Sequence, residues 1–282
     1  MQETNRHSQH SNTLVLGGNG KTGRRVAEKL TTLGMPVRSG SRSGQPPFDW
    51  QDQSTWASVL SDVEAVYITY YPDLAVPGAV DTVRLFVERA LEQGIRRLVL
   101  LSGRGEDEAQ RAENVLRASQ ADWTILRCSW FSQNFSENFL CDSVLSGEIV
   151  LPAGNIGEPF VNADDIADVA IAALTDDRHI GQLYELTGPR LLTFAEAAAE
   201  IGRATGRDIR YVQVSADQYA DALKEIGLPA DFQWLVNYLF ATVLDGRNAH
   251  LTDGVQRALG RAPRDFKDYA QATAAAGIWG VE

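Results

Sequence analysis

Two cysteines stand in the whole chain, Cys128 and Cys141, and neither has a partner at metal-ligand or redox-motif spacing. A disulfide framework and a thiolate metal site are therefore excluded as organising features. The four histidines, His7, His10, His179 and His250, are scattered, and neither His179 nor His250 has a nearby Cys or His. That removes a histidine-based metal centre or nucleophile triad, and no metal is expected. No apolar run approaches the length of a membrane span, and the opening MQETNRHSQHSN is too polar for a secretory signal. Residues 1–12 read as a disordered leader, and the cytoplasm is the expected compartment. Basic residues are in deficit: 26 Lys and Arg face 37 Asp and Glu, a formal charge of −11, with the acids spread along the chain. This balance disfavours nucleic acid or an anionic membrane as partner. Lysine is scarcest among the charged types, at Lys21, Lys29, Lys224 and Lys267 only, and none follows a tyrosine by four residues.

What the chain does have is a punctuated start. Leu14 to Val26 reads LVLGGNGKTGRRV: an apolar run rich in β-formers, three glycines at GxxGxxG spacing, then a helical pattern in Val26, Ala27 and Leu30. Strand, tight turn and helix start in that order suit a dinucleotide-binding βαβ unit. Gly17 allows the sharp turn, Gly20 lets the backbone approach a pyrophosphate, and Gly23 lets helix pack on strand. The helix N-terminus then faces the phosphates. Pro36 to Arg42 reads as the second strand. Where an acid would bind the ribose of NAD, the chain offers Ser41, Arg42 and Ser43, with no carboxylate before Asp49. A guanidinium beside serines suits a 2′-phosphate, so NADP(H) is the expected cofactor.

Further strands are expected at Ala65–Thr69, Arg97–Leu101 and Trp123–Arg127, alternating with helices near 54–60, from Val80 to Gly94 and over 108–119. This is the pattern of an α/β, Rossmann-like, doubly wound parallel sheet. Strand carboxyl ends carry the ligand-binding loops in such sheets. The expected cofactor contacts are Gly17, Gly18, Asn19, Gly20, Lys21, Thr22, Gly23, Ser41, Arg42, Ser43, Asp49, Trp50, Thr69, Tyr70, Ser102, Cys128 and Ser129. From Cys128 the chain turns aromatic and amide-rich, CSWFSQNFSENF, as a pocket lining would. Tyr71, Trp130, Phe131, Asn134 and Phe160 are the expected substrate pocket, with core packing the competing role for Phe131. Gly147 to Gly157 reads as loop, Ala163–Leu174 as a helix with acids at its start, and Leu183–Leu186 as a short strand. Thr193 with Glu196 forms a capping box for a helix to Thr205. Residues 13–150, with returns from 159–187, form the expected NAD(P)-binding domain. Residues 188–282 form a smaller, mainly helical cap on the substrate side.

A short-chain dehydrogenase of the usual kind uses Tyr-x-x-x-Lys to protonate an alkoxide. Here the helix that should carry the pair reads EAQRAEN from Glu108 to Asn114, with no tyrosine.

GGNGKTG, the Arg42 strand end, FDW (Phe48–Trp50), RRLVLLSG, DWTILRCSWFSQNF and EPFVNADDIADVAIAAL run in that order to about Tyr269. Together they resemble the NmrA-like atypical short-chain dehydrogenases/reductases. Within that group, TILRCSWFSQNFSE, PFVNADDIADVA and GPRLLTFAEAA are most similar to festuclavine and agroclavine dehydrogenases of ergot alkaloid biosynthesis. The resemblance implies NADPH-dependent hydride transfer to an iminium carbon or enone. An iminium is neutralised by hydride with no general acid, in keeping with the missing pair. Tyr70, Trp130 and Ser102 would then position the substrate, the aromatic rings by stacking or cation–π contact. Quinone is the rival acceptor, and a non-catalytic NADP(H) sensor is the rival of a different class. The expected partners are a small-molecule substrate and, with the assembly state open, a second copy of the chain in a homodimer.

Overall fold

Seven stretches become β1 (Asn12–Leu16), β2 (Val37–Gly40), β3 (Val63–Ile68), β4 (Arg97–Gly103), β5 (Asp122–Cys128), β6 (Glu148–Leu151) and β7 (Gln182–Leu186). A computed structural model of the chain describes residues 12–137 and 140–280. All but β6 join one parallel sheet in the order β2-β1-β3-β4-β5-β7. The chain leaves β1 to one side for β2 and crosses back to place β3 on the other. The topological switch point therefore lies at the carboxyl ends of β1 and β3, where this architecture opens a ligand crevice.

The strands are near-continuous apolar runs because helices cover both faces. On one face stand α1 (Lys21–Thr32) and, later in the chain, a helix at Ala163–Thr175, packed on Val15, Tyr67, Val99 and Leu126. On the other, α2 (Trp56–Leu60), α3 (Ala79–Glu92) and α4 (Asp107–Ala118) pack on Leu14, Leu16, Val66, Ile68, Leu98 and Leu100. Alternate side chains of each strand thus serve opposite cores.

Beyond β5 come α5 (Asn134–Glu137), α6 (Leu140–Ser146), α7 (the Ala163–Thr175 helix), α8 (Phe194–Thr205), β8 (Arg210–Gln213), α9 (Ala216–Glu225), α10 (Ala230–Tyr238), α11 (Gly254–Leu259) and α12 (Phe266–Ala275). Most of these helices share a separate core built on Phe135, Phe194, Phe240, Phe266 and Trp279. The α8 capping box forms as expected: Glu196 N–H donates to Thr193 Oγ1 at 3.1 Å, and Thr193 N–H to Glu196 Oε2 at 2.8 Å. None of the described helices is long and apolar enough to cross a membrane.

Three boundaries differ from expectation. Asn12, assigned to the leader, opens β1, and its N–H donates to Asp62 O at 3.3 Å; residues 1–11 lie outside the described residues. β2 stops at Gly40 because the Gly44 and Phe48 N–H groups both fold back onto Ser41 O, which places Arg42 and Ser43 in a turn. The expected loop at 147–157 contains β6, which pairs in parallel with β8. Ile149 and Leu151 are buried while Glu148 and Val150 face outward. Four alternating residues between Gly147 and Pro152 are too short a signal against such neighbours.

Candidate active site

At the end of β1 the chain makes its turn with Gly17 at φ +64°, a conformation natural only to glycine. Gly17 N–H donates to Gly40 O at 3.0 Å and Gly20 N–H to Gly17 O at 2.7 Å. A Cβ on Gly18 would meet the Ser39 side chain at 2.8 Å, and one on Gly23 would overlap the Gly17 carbonyl. Thr69, expected at the cofactor, is the buttress of this turn: its hydroxyl donates to Leu16 O at 3.0 Å and occupies the space beside Gly17. Thr22 is likewise buried beneath it. Gly20 is the N-cap of α1, no described side chain caps that end, and its first turn carries no acid. Lys21 lies beside it, its amine pushed below the usual range by burial despite the opposing charge of Glu137. Burial disfavours the Glu137 carboxylate, but Arg25 and Arg24, at 2.7 and 2.8 Å, outweigh it and hold its pKa low. A glycine cradle at an uncapped helix N-terminus, with a lysine at its lip, fits a pyrophosphate.

The two arginines near β2 have different fates. Arg38 is spent on the carbonyls of Val59 and Ser61 at the end of α2. Arg42 is exposed in the turn, its guanidinium over the Tyr71 ring at 5.8 Å, and it stands between Ser41 and Ser43, whose hydroxyls lie 3.5 Å apart. Asp49 and Trp50 make local contacts. Asp49 Oδ1 accepts the Gln51 N–H, and Trp50 Nε1 donates to Thr69 O at 3.1 Å. The Trp50 ring packs 5.0 Å from Phe48 and 5.1 Å from Phe86, so it is core. Large aromatics after a short strand serve packing as readily as stacking, and sequence does not separate the two.

A cavity of about 530 Å³ opens at the carboxyl ends of β3, β4 and β5. Asn19, Gly20 and Lys21 line one end of it, and Tyr70, Tyr71, Trp130, Phe131 and Asn134 line the rest, with Phe232, Leu235 and Phe240 from α10 and the turn after it. Tyr70 is braced by Trp50 at 4.9 Å, and Trp130 by Phe194 at 5.5 Å and Phe240 at 5.0 Å. Phe160, expected in this lining, is instead 2% exposed among Phe135, Phe194 and Phe266. It enters the second core, although Glu158 two residues earlier lines the cavity. Ser102 and Cys128 reach the cavity wall with their polar atoms already engaged. Ser102 Oγ donates to buried Glu113, and the Cys128 thiol, pushed up by burial, points to Leu126 O at 3.5 Å.

Several charged residues of the wall were not anticipated. Arg104 is 3% exposed, its Nη1 donating to Ser129 Oγ at 2.9 Å and its Nη2 lying 2.9 Å from His250 Nε2. Glu158 Oε1 accepts the Trp130 N–H at 3.2 Å. Burial raises Glu158 to about 7, against the pull of that N–H and of Arg104. Asp73 and Glu106 also line the cavity. The available signal was charge placed immediately after strand ends, RGE after β4 and PD after Tyr71, in a fold that puts ligands there. His179 is elsewhere, buried with Nδ1 at 2.8 Å from the Tyr184 hydroxyl.

Residues 17–177 match the NAD(P)H-binding family model. Agroclavine dehydrogenase of Claviceps fusiformis is 33% identical over 279 residues, covering 91% of this chain and 95% of that protein. Festuclavine dehydrogenase of Aspergillus fumigatus is 30% identical, covering 92% and 96%. The fold also matches an NADPH-dependent quinone oxidoreductase of Escherichia coli complexed with NADPH, with a TM-score of 0.74 and 21% identity over 93% of this chain and 99% of that one. With a glycine cradle at the switch point and likeness to clavine dehydrogenases over nine-tenths of its length, the chain belongs to the NAD(P)H-binding family, among oxidoreductases.

Proposed function

We propose that the protein is an NADPH-dependent reductase that transfers hydride to a small, electron-poor organic acceptor, a cyclic iminium or an enone, without a Tyr–Lys pair. The observation that carries this reading is continuity. One cavity runs from Gly20 and Lys21 at the cradle to Tyr70 and Trp130 at the aromatic wall, so a cofactor and an acceptor share one enclosure. NADPH, when bound, supplies the hydride. Lys21 and the α1 N-terminus hold its phosphates, and Arg42 with Ser41 and Ser43 selects the 2′-phosphate.

Tyr70 and Trp130 present ring faces and edges to a planar acceptor, and each is braced from behind, which limits the entropy lost on binding. Phe232, Leu235 and Phe240 exclude water, which strengthens every electrostatic contact inside. Residues 188–282 act as a cap on the substrate side of the domain formed by 13–150 and 159–187. The test is stopped-flow NADPH oxidation against a panel of cyclic iminiums, enones and quinones. Turnover of an iminium or enone supports the reading; tight NADPH binding with no turnover of any acceptor replaces it with a cofactor sensor.

A further inference from the structure

Glu106 is the N-cap residue of α4, yet its carboxyl makes no cap bond to the helix. It turns back over the end of β4 instead, and a Cβ on Gly103 would overlap all three atoms of the carboxyl group. Glycine at that position leaves room for the acid at the sheet edge where the cavity opens. Asp73, from the turn after β3, comes up beside it, with Oδ1 accepting the Ala75 N–H at 2.8 Å. Asp73 and Glu106 each perturb the other's ionisation, and both line the cavity together with Tyr70 and Tyr71. Two neighbouring carboxyl groups at one edge of a cavity, where burial penalises charge on both, resist ionising together, so the pair retains a proton.

The division of that proton follows from the surroundings. Burial first, then the charge of Asp73, raises Glu106 well above the carboxylate range, and Glu113 on α4 adds to the effect. Burial also raises Asp73, but the Ala75 N–H and the Glu106 hydroxyl favour its charged form. Glu106 is thus the protonated member and Asp73 the acceptor. The other groups in this field are the Cys128 thiol on β5 and the Tyr238 hydroxyl on α10. Arg104, on the same turn as Glu106, is directed to Ser129, His250 and Glu185.

We propose that Glu106, held by Asp73, is the proton donor for a neutral acceptor, a quinone or an enone, reduced in this cavity. The assignment rests on the reductase reading above and fills the role left open by the missing Tyr–Lys pair. A quinone that takes a hydride becomes a hydroquinone monoanion. The Glu106 O–H bond breaks, its proton joins the anion's oxygen, and the O–H electron pair stays on the carboxylate. The pair then recovers a proton from water at the cavity mouth. An iminium needs no such step, so the donor matters for neutral acceptors.

Two readouts on the full chain test this. Difference infrared spectroscopy of the cofactor-free protein, titrated between about pH 6 and about pH 9, is expected to show a protonated carboxyl band that Glu106→Gln removes. Reduction of a naphthoquinone by NADPH, followed in H₂O and D₂O, is expected to slow at alkaline pH as the donor is lost. Glu106→Gln should lower kcat by roughly 100-fold and abolish both the solvent isotope effect and the alkaline decline. Asp73→Asn removes the like charge, so the decline should move to lower pH. A solvent isotope effect and alkaline decline that persist in Glu106→Gln, or a protonated-carboxyl spectrum of Glu158→Gln that the added Glu106→Gln leaves untouched, overturn the assignment alone. A wild-type protein that binds NADPH but reduces neither naphthoquinone nor cyclohexenone overturns the reductase reading for neutral acceptors and the assignment with it.

Discussion

Ser102 Oγ donates to Glu113 Oε1 at 2.6 Å, and Glu113 is 1% exposed. Arg127 completes the carboxylate's coordination, Nε meeting the same oxygen at 2.9 Å and Nη2 the other, while its Nη1 reaches Glu185 at 2.8 Å. The serine one residue before the end of β4 is therefore an anchor between sheet and α4. Ser102→Ala should cost about 1–2 kcal/mol, the worth of a hydrogen bond to a buried charge. Glu113→Ala, which leaves Arg127 half-buried with one partner fewer, should cost about 3–5 kcal/mol. Urea unfolding measures both. A Ser102→Ala protein with an unchanged midpoint but impaired turnover would return the serine to the site.

Gly23→Ala sets two effects against each other. Alanine inside a helix gains about 1 kcal/mol over glycine. The new Cβ would overlap the Gly17 carbonyl, which is itself fixed by the Gly20 N–H. Backbone cannot swing aside as a side chain can, and overpacking costs about 1–3 kcal/mol or more. Strain should win. The variant is expected to melt lower and to bind NADPH at least about 10-fold more weakly, a loss of about 1.4 kcal/mol or more. A fluorescence titration showing wild-type affinity would mean that the cradle does not hold the pyrophosphate.

Arg42→Ala should weaken NADP binding by roughly 10- to 100-fold, as expected for loss of a charge-assisted bidentate contact, and leave NAD binding nearly unchanged. Arg38 cannot substitute, because it is tied to the end of α2. The same arginine lies over Tyr71, whose ring is 6.1 Å from Phe232 at the cavity. Calorimetric titration with each cofactor decides the matter: equal losses for NADP and NAD would show that Arg42 shapes the site without reading the 2′-phosphate.

What was readable in the sequence was local. The glycine turn, the apolar strands and the α8 capping box each declare themselves within a dozen residues, because backbone conformation and two-faced burial leave short-range patterns. Side-chain destination does not. Phe131 bridges Val161, the neighbour of Phe160, yet Phe131 lines the cavity and Phe160 enters a core. Trp50 looks like a ring for stacking and is held inward by Thr69. Glu106 and Asp73 meet only because β3 and β4 are neighbours, so their shared proton depends on a register no local pattern encodes.

Glu158 provides a pH test of the buried wall. Its carboxyl is raised from 4.5 to about 7, chiefly by burial, so the folded state binds more protons than the unfolded one between those values. Stability from this group is fully present below the unfolded pKa and is lost as pH rises through the folded one. Carried through that range, the loss amounts to about 3 kcal/mol at the alkaline end. Glu158→Gln keeps an acceptor for the Trp130 N–H and removes the ionisation. Measured against wild type by urea unfolding, its relative stability should rise by about 2–3 kcal/mol between about pH 5 and about pH 8. Asp73 and Glu106 contribute in the same direction in both proteins, so they cancel in that difference. A gap that stays constant with pH would mean that Glu158 ionises freely, with water or Arg104 compensating for its burial.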